Sequence, residues 1–238
     1  MPPWGGPSAE GADRPVSRIL ITCGPTREPL DPVRYLSNSS SGRTGMALAE
    51  EALRRGHRVD LVLGPVGLDP PDGARVIPVV TCAEMLAACR EAHPLCEAVI
   101  GAAAVCDFRP QAASPEKRRR GAGPWLLELV PNPDILEELG ERKGSRVHAG
   151  FALETERDPG KAFAHARAKL EKKHLDWIVM NSPEALGGES GSYFLLGREG
   201  PPRSLGGLRK SELASVLLDA VENSLKPGAP GSDKSGRV

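Results

Sequence analysis

Several stretches of the chain combine residue types able to hold or neutralise charge. Residues 24–45 read GPTREPLDPVRYLSNSSSGRTG, a long polar run that ends where a helical pattern begins. Serine hydroxyls, backbone amides and the positive end of a helix together suit an anion, most naturally a phosphate, which makes Ser40, Ser41 and Gly42 candidate contacts. The run matches neither the G-x-G-x-x-G dinucleotide fingerprint nor the G-x-x-x-x-G-K-[ST] phosphate loop. A Ser/Gly-rich surface loop capping a helix would have the same composition. Residues 101–108, GAAAVCDF, put small side chains at a strand end, where a flat ring can approach the backbone and Asp107 can accept from a sugar or base. The plain alternative is core alanines and a turn aspartate. Residues 114–120, SPEKRRR, set four cations in a row; such a run is either solvated or meets a polyphosphate. Lys169 and Lys173 stand four apart, on one face of a helix. No His-x-x-x-His pair, Gly-x-Ser-x-Gly elbow or Cys–His dyad spacing occurs, and none of the five histidines is assigned a role.

The elements that would position these residues alternate. Residues 18–22 (RILIT) are apolar almost throughout, as a strand buried on both faces should be. Residues 45–55 repeat Met46, Ala49 and Leu53 on one helical stripe, with Gly56 placed to end it. Strands follow at 58–63 and 76–80, a helix near 83–92, and a buried strand at 98–105. Asn132 can cap a helix that has Pro133 in its first position and Asp134 on its dipole. A strand at 148–152, a basic helix at 161–173 and a strand at 177–180 come next. A hairpin (193–196 with 203–208) and a helix at 211–225 complete the series. Strands separated by helices predict an α/β, doubly wound, Rossmann-like, mostly parallel sheet with helices on both faces. Ligands of such sheets bind beyond the carboxyl ends of the strands, which directs attention to the loops after Thr22, Val105 and Phe151.

Composition narrows the function classes. The 238 residues hold 31 basic and 31 acidic side chains, so there is no global field to draw in nucleic acid, and 4% aromatics leave little for base stacking. There is no apolar run long enough for a membrane helix and no basic-then-apolar leader, which predicts a cytoplasmic protein. The five cysteines lack Cys-x-x-Cys spacing and are expected to be reduced and mostly buried. The Pro/Gly-rich ends predict disordered tails at 1–17 and 227–238 around one domain at 18–226.

Taken together, the run GPTREPLDPVRYLSNSSSGRTG, then AAAVCDFRP, PEKRRR, NPDIL, GFALET and KLEKKHLDWIVMN, resembles the phosphopantothenate–cysteine ligase family, the phosphopantothenoylcysteine synthetases of coenzyme A biosynthesis. The resemblance implies a stand-alone synthetase without flavin, working beside a separate decarboxylase, and a homodimer. It implies activation of the 4′-phosphopantothenate carboxylate by CTP with Mg²⁺, giving an acyl-cytidylate that cysteine converts to the amide. In that scheme Asn38 carries the acyl-cytidylate on to product and Lys117 neutralises charge at the α-phosphate. The nucleotide contacts it implies are Gly101, Ala102, Ala103, Asp107, Pro133, Asp134, Ile135, Leu136, Phe151, Lys169 and Lys173, with no metal ligands specified.

The match has departures. Cys106 stands where the family has a small Ala or Ser, Pro131 where a lysine often precedes N-P-D, Leu153 in place of an alanine, and Ser182 in place of the acid of A-N-D. The N-S-S-S-G form and Gly64-Pro65-Val66 resemble the bacterial, CTP-using type. Two competitors remain from the residues alone. A nicotinamide oxidoreductase would need the missing glycine fingerprint, and a non-catalytic nucleotide binder could dispense with Asn38 and Lys117.

Overall fold

The computed structural model describes residues 16–121, 123–156, 158–181 and 190–225. Among the described residues the frame is an eight-stranded sheet. Six strands are parallel: β1 (Arg18–Cys23), β4 (Arg58–Leu63), β5 (Arg75–Pro78), β6 (Ala98–Gly101), β9 (Val147–Leu153) and β10 (Trp177–Asn181). Two antiparallel strands, β11 (Ser190–Gly197) and β12 (Arg203–Arg209), extend the edge beyond β10. The spatial order is β12-β11-β10-β9-β6-β1-β4-β5. Among the parallel strands this is the doubly wound order, and it reverses direction between β1 and β6, where a crevice must open at the carboxyl ends.

Alternation within the strands divides the core. In β1, Ile19, Ile21 and Cys23 pack toward α1 (Arg43–Arg54) and α5 (Lys210–Ser224), whereas Leu20 packs toward α2 (Cys82–Ala92) and α3 (Ile135–Glu141). A third cluster joins α4 (Pro159–Lys172) to β10 through Ala166, Leu170 and Ile178. Each fully buried aliphatic side chain contributes about 1.5–3 kcal/mol, so the central strands anchor everything attached to their ends.

Local chemistry sets the helix boundaries. Gly56 takes φ +86° beyond α1, as its position at the end of the stripe predicts. Thr81 and Glu84 form a reciprocal capping box on α2. The expected cap on α3 is corrected: the N-cap is Asp134, whose carboxylate accepts from the Glu137 amide, while Asn132 donates its Nδ2 to the Cys106 carbonyl at 2.9 Å. The strand expected at 98–105 ends at Gly101, and residues 102–105 form the loop that follows. The run 24–45 is also not one loop. It contains a hairpin, β2 (Arg27–Asp31) with β3 (Arg34–Ser37), and a second small sheet pairs β7 (Phe108–Pro110) with β8 (Leu129–Pro131).

All five cysteines are free and buried, as their spacing predicts. Ser17 is already buried, with its amide on His57. The disordered tail expected at 1–17 is thereby corrected at its end; residues 1–15, the tail expected at 227–238 and Ser182 lie outside the described residues.

Candidate active site

Beyond Thr22, the chains leaving β1 and β6 stay zipped together. The Ala104 amide donates to the Gly24 carbonyl at 2.9 Å, the Ala103 amide to Thr22 Oγ1 at 3.2 Å, and the Cys106 amide to Thr26 Oγ1 at 3.0 Å. The two loops are thereby held as one rigid floor. Asn38 completes it: its Nδ2 donates to the carbonyls of Ala104 at 3.2 Å and Val105 at 2.9 Å. The residue assigned the catalytic amide therefore ties the serine-rich segment to the small-residue segment across the point where strand order reverses.

Between these segments lies a cavity of about 550 Å³, lined by Asn38, Ser40, Ser41 and Gly42 on one part of its wall and by Ala102, Ala103, Asp107 and Phe151 on another. A smaller space of about 290 Å³ adjoins it, lined by Gly101, Asp107, Asn132, Pro133, Leu136 and Lys173 among others. Ala103, Val105, Asp107 and Phe151 line both, so the two lie side by side with these residues between them. Most of the nucleotide contacts that the resemblance implies are brought together here.

Glycine geometry explains why the crevice can form. Gly42, the N-cap of α1, sits at φ +76°, a left-handed conformation that turns the serine segment into the helix start. Its carbonyl accepts from the Met46 amide at 3.0 Å and from Cys23 Sγ at 3.2 Å. Burial pushes the Cys23 thiol up to about 12, so it is an inert support and no nucleophile. Gly101 faces Leu136 so closely that a Cβ there would lie 2.5 Å from Leu136 Cδ1.

The lysines are distributed differently. Lys173 reaches the smaller space and pairs with Asp134 at 2.8 Å, so that the α3 cap also holds a cation at the rim. Lys169 pairs with Glu154 at 2.5 Å, just beyond the end of β9, and lines neither space. Lys117 is not beside Asn38. It lines a separate cavity of about 590 Å³ with Leu30, Ala112 and Trp125. The segment there is docked, since Arg34 and Arg118 both lie over the Trp125 ring, at 5.5 and 4.8 Å. Asp31, its side chain fully buried, accepts from the Arg118 amide and pairs with Arg34 at 3.0 Å. Hydrogen bonds to its carboxylate from the Val33, Arg118 and Arg34 amides and the Arg34 charge hold it below the usual range despite the opposing effect of burial.

Sequence reasoning gave no site role to several residues on the larger cavity, among them Arg43, Asn181, Tyr193 and Lys210. Arg43 follows Gly42 directly and was available from the motif. Asn181 and Tyr193 meet only through the antiparallel pairing of β10 with β11, and Lys210 begins a helix far along the chain, so no local pattern marks them.

Residues 16–225 match the family described as DNA/pantothenate metabolism flavoprotein C-terminal domain. The chain is 47% identical over 167 residues to a protein from an unknown prokaryotic organism named cysteine/cysteine sulfinic acid decarboxylase, covering 69% of this chain and 45% of that protein. It is 39% identical over 208 residues to the coenzyme A biosynthesis bifunctional protein CoaBC of Bacillus subtilis (strain 168), covering 85% of this chain and 50% of that one. The chain thus spans about half the length of the curated relatives it matches. The crystal structure of the C-terminal domain of CoaBC superposes on it with a TM-score of 0.75 at 36% identity, covering 87% of this chain and 95% of that one.

Proposed function

The chain belongs to the family of the DNA/pantothenate metabolism flavoprotein C-terminal domain, and from that premise we propose that it is a phosphopantothenate–cysteine ligase of coenzyme A biosynthesis. The observation that carries the reading is the pair of adjoining cavities at the strand-order reversal, with Asn38 bridging the two loops there. The likeness over 95% of a CoaBC C-terminal domain supports the same assignment. The decarboxylase name of the other relative belongs to a protein of which this chain spans 45%.

The reaction has two steps. A carboxylate oxygen of 4′-phosphopantothenate bonds to the α-phosphorus of CTP, the bond to the β-phosphate breaks, and pyrophosphate leaves. The amine of cysteine then attacks the acyl carbon, loses a proton to solvent and expels CMP. The first step brings an anion to a polyanion, so the cavity must supply positive and hydrogen-bonding groups. The Ser40 and Ser41 hydroxyls and the amides around Gly42 at the start of α1 are suited to the phosphates. Ala102 and Ala103 offer backbone to the nucleoside, with Asp107 and Phe151 beside it and Lys173 at the rim. Loss of one contact to developing charge costs about a hundredfold to a thousandfold in rate.

The residues present fit the expected Mg²⁺. Asp107 is the carboxylate on the larger cavity, and magnesium is usually held by one or two carboxylates together with substrate phosphates and water. Bound there, it would neutralise phosphate charge. The preference for CTP over ATP rests on the bacterial-type N-S-S-S-G and Gly64-Pro65-Val66 sequences.

For Lys117 to act on the α-phosphate, the 114–120 segment must move or come from a second copy. A homodimer supplies the second route. It is supported by apolar side chains exposed on the two small sheets and beside them: Val33, Tyr35, Phe108, Leu126 and Leu129, with Leu126 88% exposed. Light scattering should give twice the monomer mass; a monomer would contradict the dimer. The same reading carries a cytoplasmic location and a decarboxylase activity acting on the product. The function is tested by mass spectrometry of the product from CTP, 4′-phosphopantothenate and cysteine. Phosphopantothenoylcysteine and CMP are expected, and recovery of unreacted substrates from folded protein would overturn the proposal.

A further inference from the structure

Lys210 lies in none of the motifs and is the first residue of α5, beyond the antiparallel edge of the sheet. Helices α1 and α5 pack side by side on one face, so their first residues, Arg43 and Lys210, arrive at the same end of the fold. Both line the cavity that holds Asn38 and the serine segment. Lys210 is half-buried and, among the described residues, has no carboxylate paired with it. Burial and the neighbouring Arg43 charge both push its ammonium down from the ordinary lysine range. A half-buried ammonium without a carboxylate partner is unfavourable in the free protein, and an anion seated against Lys210 relieves that cost.

The crevice indicates which anion. Most of the implied nucleoside contacts line the 290 Å³ space, which adjoins the larger cavity at Ala103, Asp107 and Phe151. A triphosphate extending from a nucleoside in the smaller space runs into the chamber lined by Ser40, Ser41, Arg43 and Lys210. On the ligase reading, the geometry points to Lys210 as the residue that holds the β- and γ-phosphates of the nucleoside triphosphate, and with them the departing pyrophosphate.

The experiment is calorimetric titration of the intact chain and its Lys210→Met and Lys210→Arg variants with inorganic pyrophosphate, CTP, CMP and 4′-phosphopantothenate. Lys210→Met should weaken pyrophosphate and CTP about tenfold to a hundredfold, with CMP and 4′-phosphopantothenate changed less than about twofold. Lys210→Arg should restore most of the loss. In alkaline buffers of different ionisation enthalpy, the wild type should take up protons on binding pyrophosphate and Lys210→Met should not. Because the substitution removes like-charge repulsion, its melting temperature should not fall.

Unchanged pyrophosphate affinity in Lys210→Met would overturn the assignment. So would a loss confined to 4′-phosphopantothenate, which would put the cation on the other substrate. Lys210-dependent pyrophosphate binding by a protein that forms no amide would keep the anion seat and remove the ligase reading. A wild type that binds neither pyrophosphate nor CTP would remove both.

Discussion

Asn38 commits both amide hydrogens to the carbonyls of Ala104 and Val105, which fixes where the serine segment sits relative to the small-residue loop. Asn38→Asp would replace that donor with a carboxylate against two carbonyl oxygens. On the ligase reading, the variant should still release pyrophosphate but form the amide about a hundredfold to a thousandfold more slowly, with acyl-nucleotide accumulating. Rapid-quench analysis checks this, and wild-type amide formation would remove Asn38 from the second step. Lys117→Gln should instead suppress the first step, and undiminished pyrophosphate release would show that Lys117 stays in its own cavity beside Trp125. Much of the lining of the candidate site was legible at this scale because its residues cluster in contiguous runs. Lys210 was not legible, since only the side-by-side packing of α1 and α5 brings it to the crevice.

At the scale of elements, the start of α1 is the joint on which the serine-rich segment depends. Gly45 lies against the end of β1, and a Cβ there would come within 2.6 Å of Cys23 Sγ and 3.1 Å of the Cys23 Cα. Since the strand backbone is part of the obstruction, a rotamer change alone does not relieve it. Gly45→Ala should therefore cost about 1–3 kcal/mol, seen as a lower melting temperature, together with weaker pyrophosphate binding. An unchanged melting temperature would show that β1 and α1 can separate freely. The parallel strands were readable because burial on both faces leaves near-continuous apolar runs such as RILIT. The β2–β3 hairpin was hidden because Pro29, Asp31 and Pro32 are turn-forming residue types, although Pro29 and Asp31 here lie within the edge strand β2. The α3 cap was misassigned for a related reason. Asn132 and Asp134 are both capping residues two positions apart, and the choice of Asp134 goes with its tertiary pairing to Lys173.

For the molecule as a whole, no described helix is long and apolar enough to cross a membrane. One source of acid sensitivity is a buried histidine pair. His93 and His148 are buried, with their Nε2 atoms 3.1 Å apart. Burial, reinforced by Arg146 and Arg142, pushes His93 down to about 4. Burial, reinforced by His93, Lys143, Arg146 and Arg198, pushes His148 down to about 3. Below the unfolded value of 6.5 the unfolded chain binds more protons at these rings than the folded one. This contribution is fully present above that value and is lost as the pH falls through 4 and 3. The urea midpoint should drop between neutral pH and about pH 5, and a His93→Leu/His148→Leu double variant should show a smaller drop. Equal drops in the two proteins would place the acid sensitivity elsewhere.

The most direct test of the ligase is pyrophosphate release with 4′-phosphopantothenate and Mg²⁺, using CTP or ATP, each with and without cysteine. Release should require 4′-phosphopantothenate, favour CTP, and continue over many turnovers only when cysteine is present. No release with either nucleotide, from protein that melts cooperatively, would contradict the ligase and leave a nucleotide-binding fold without this chemistry.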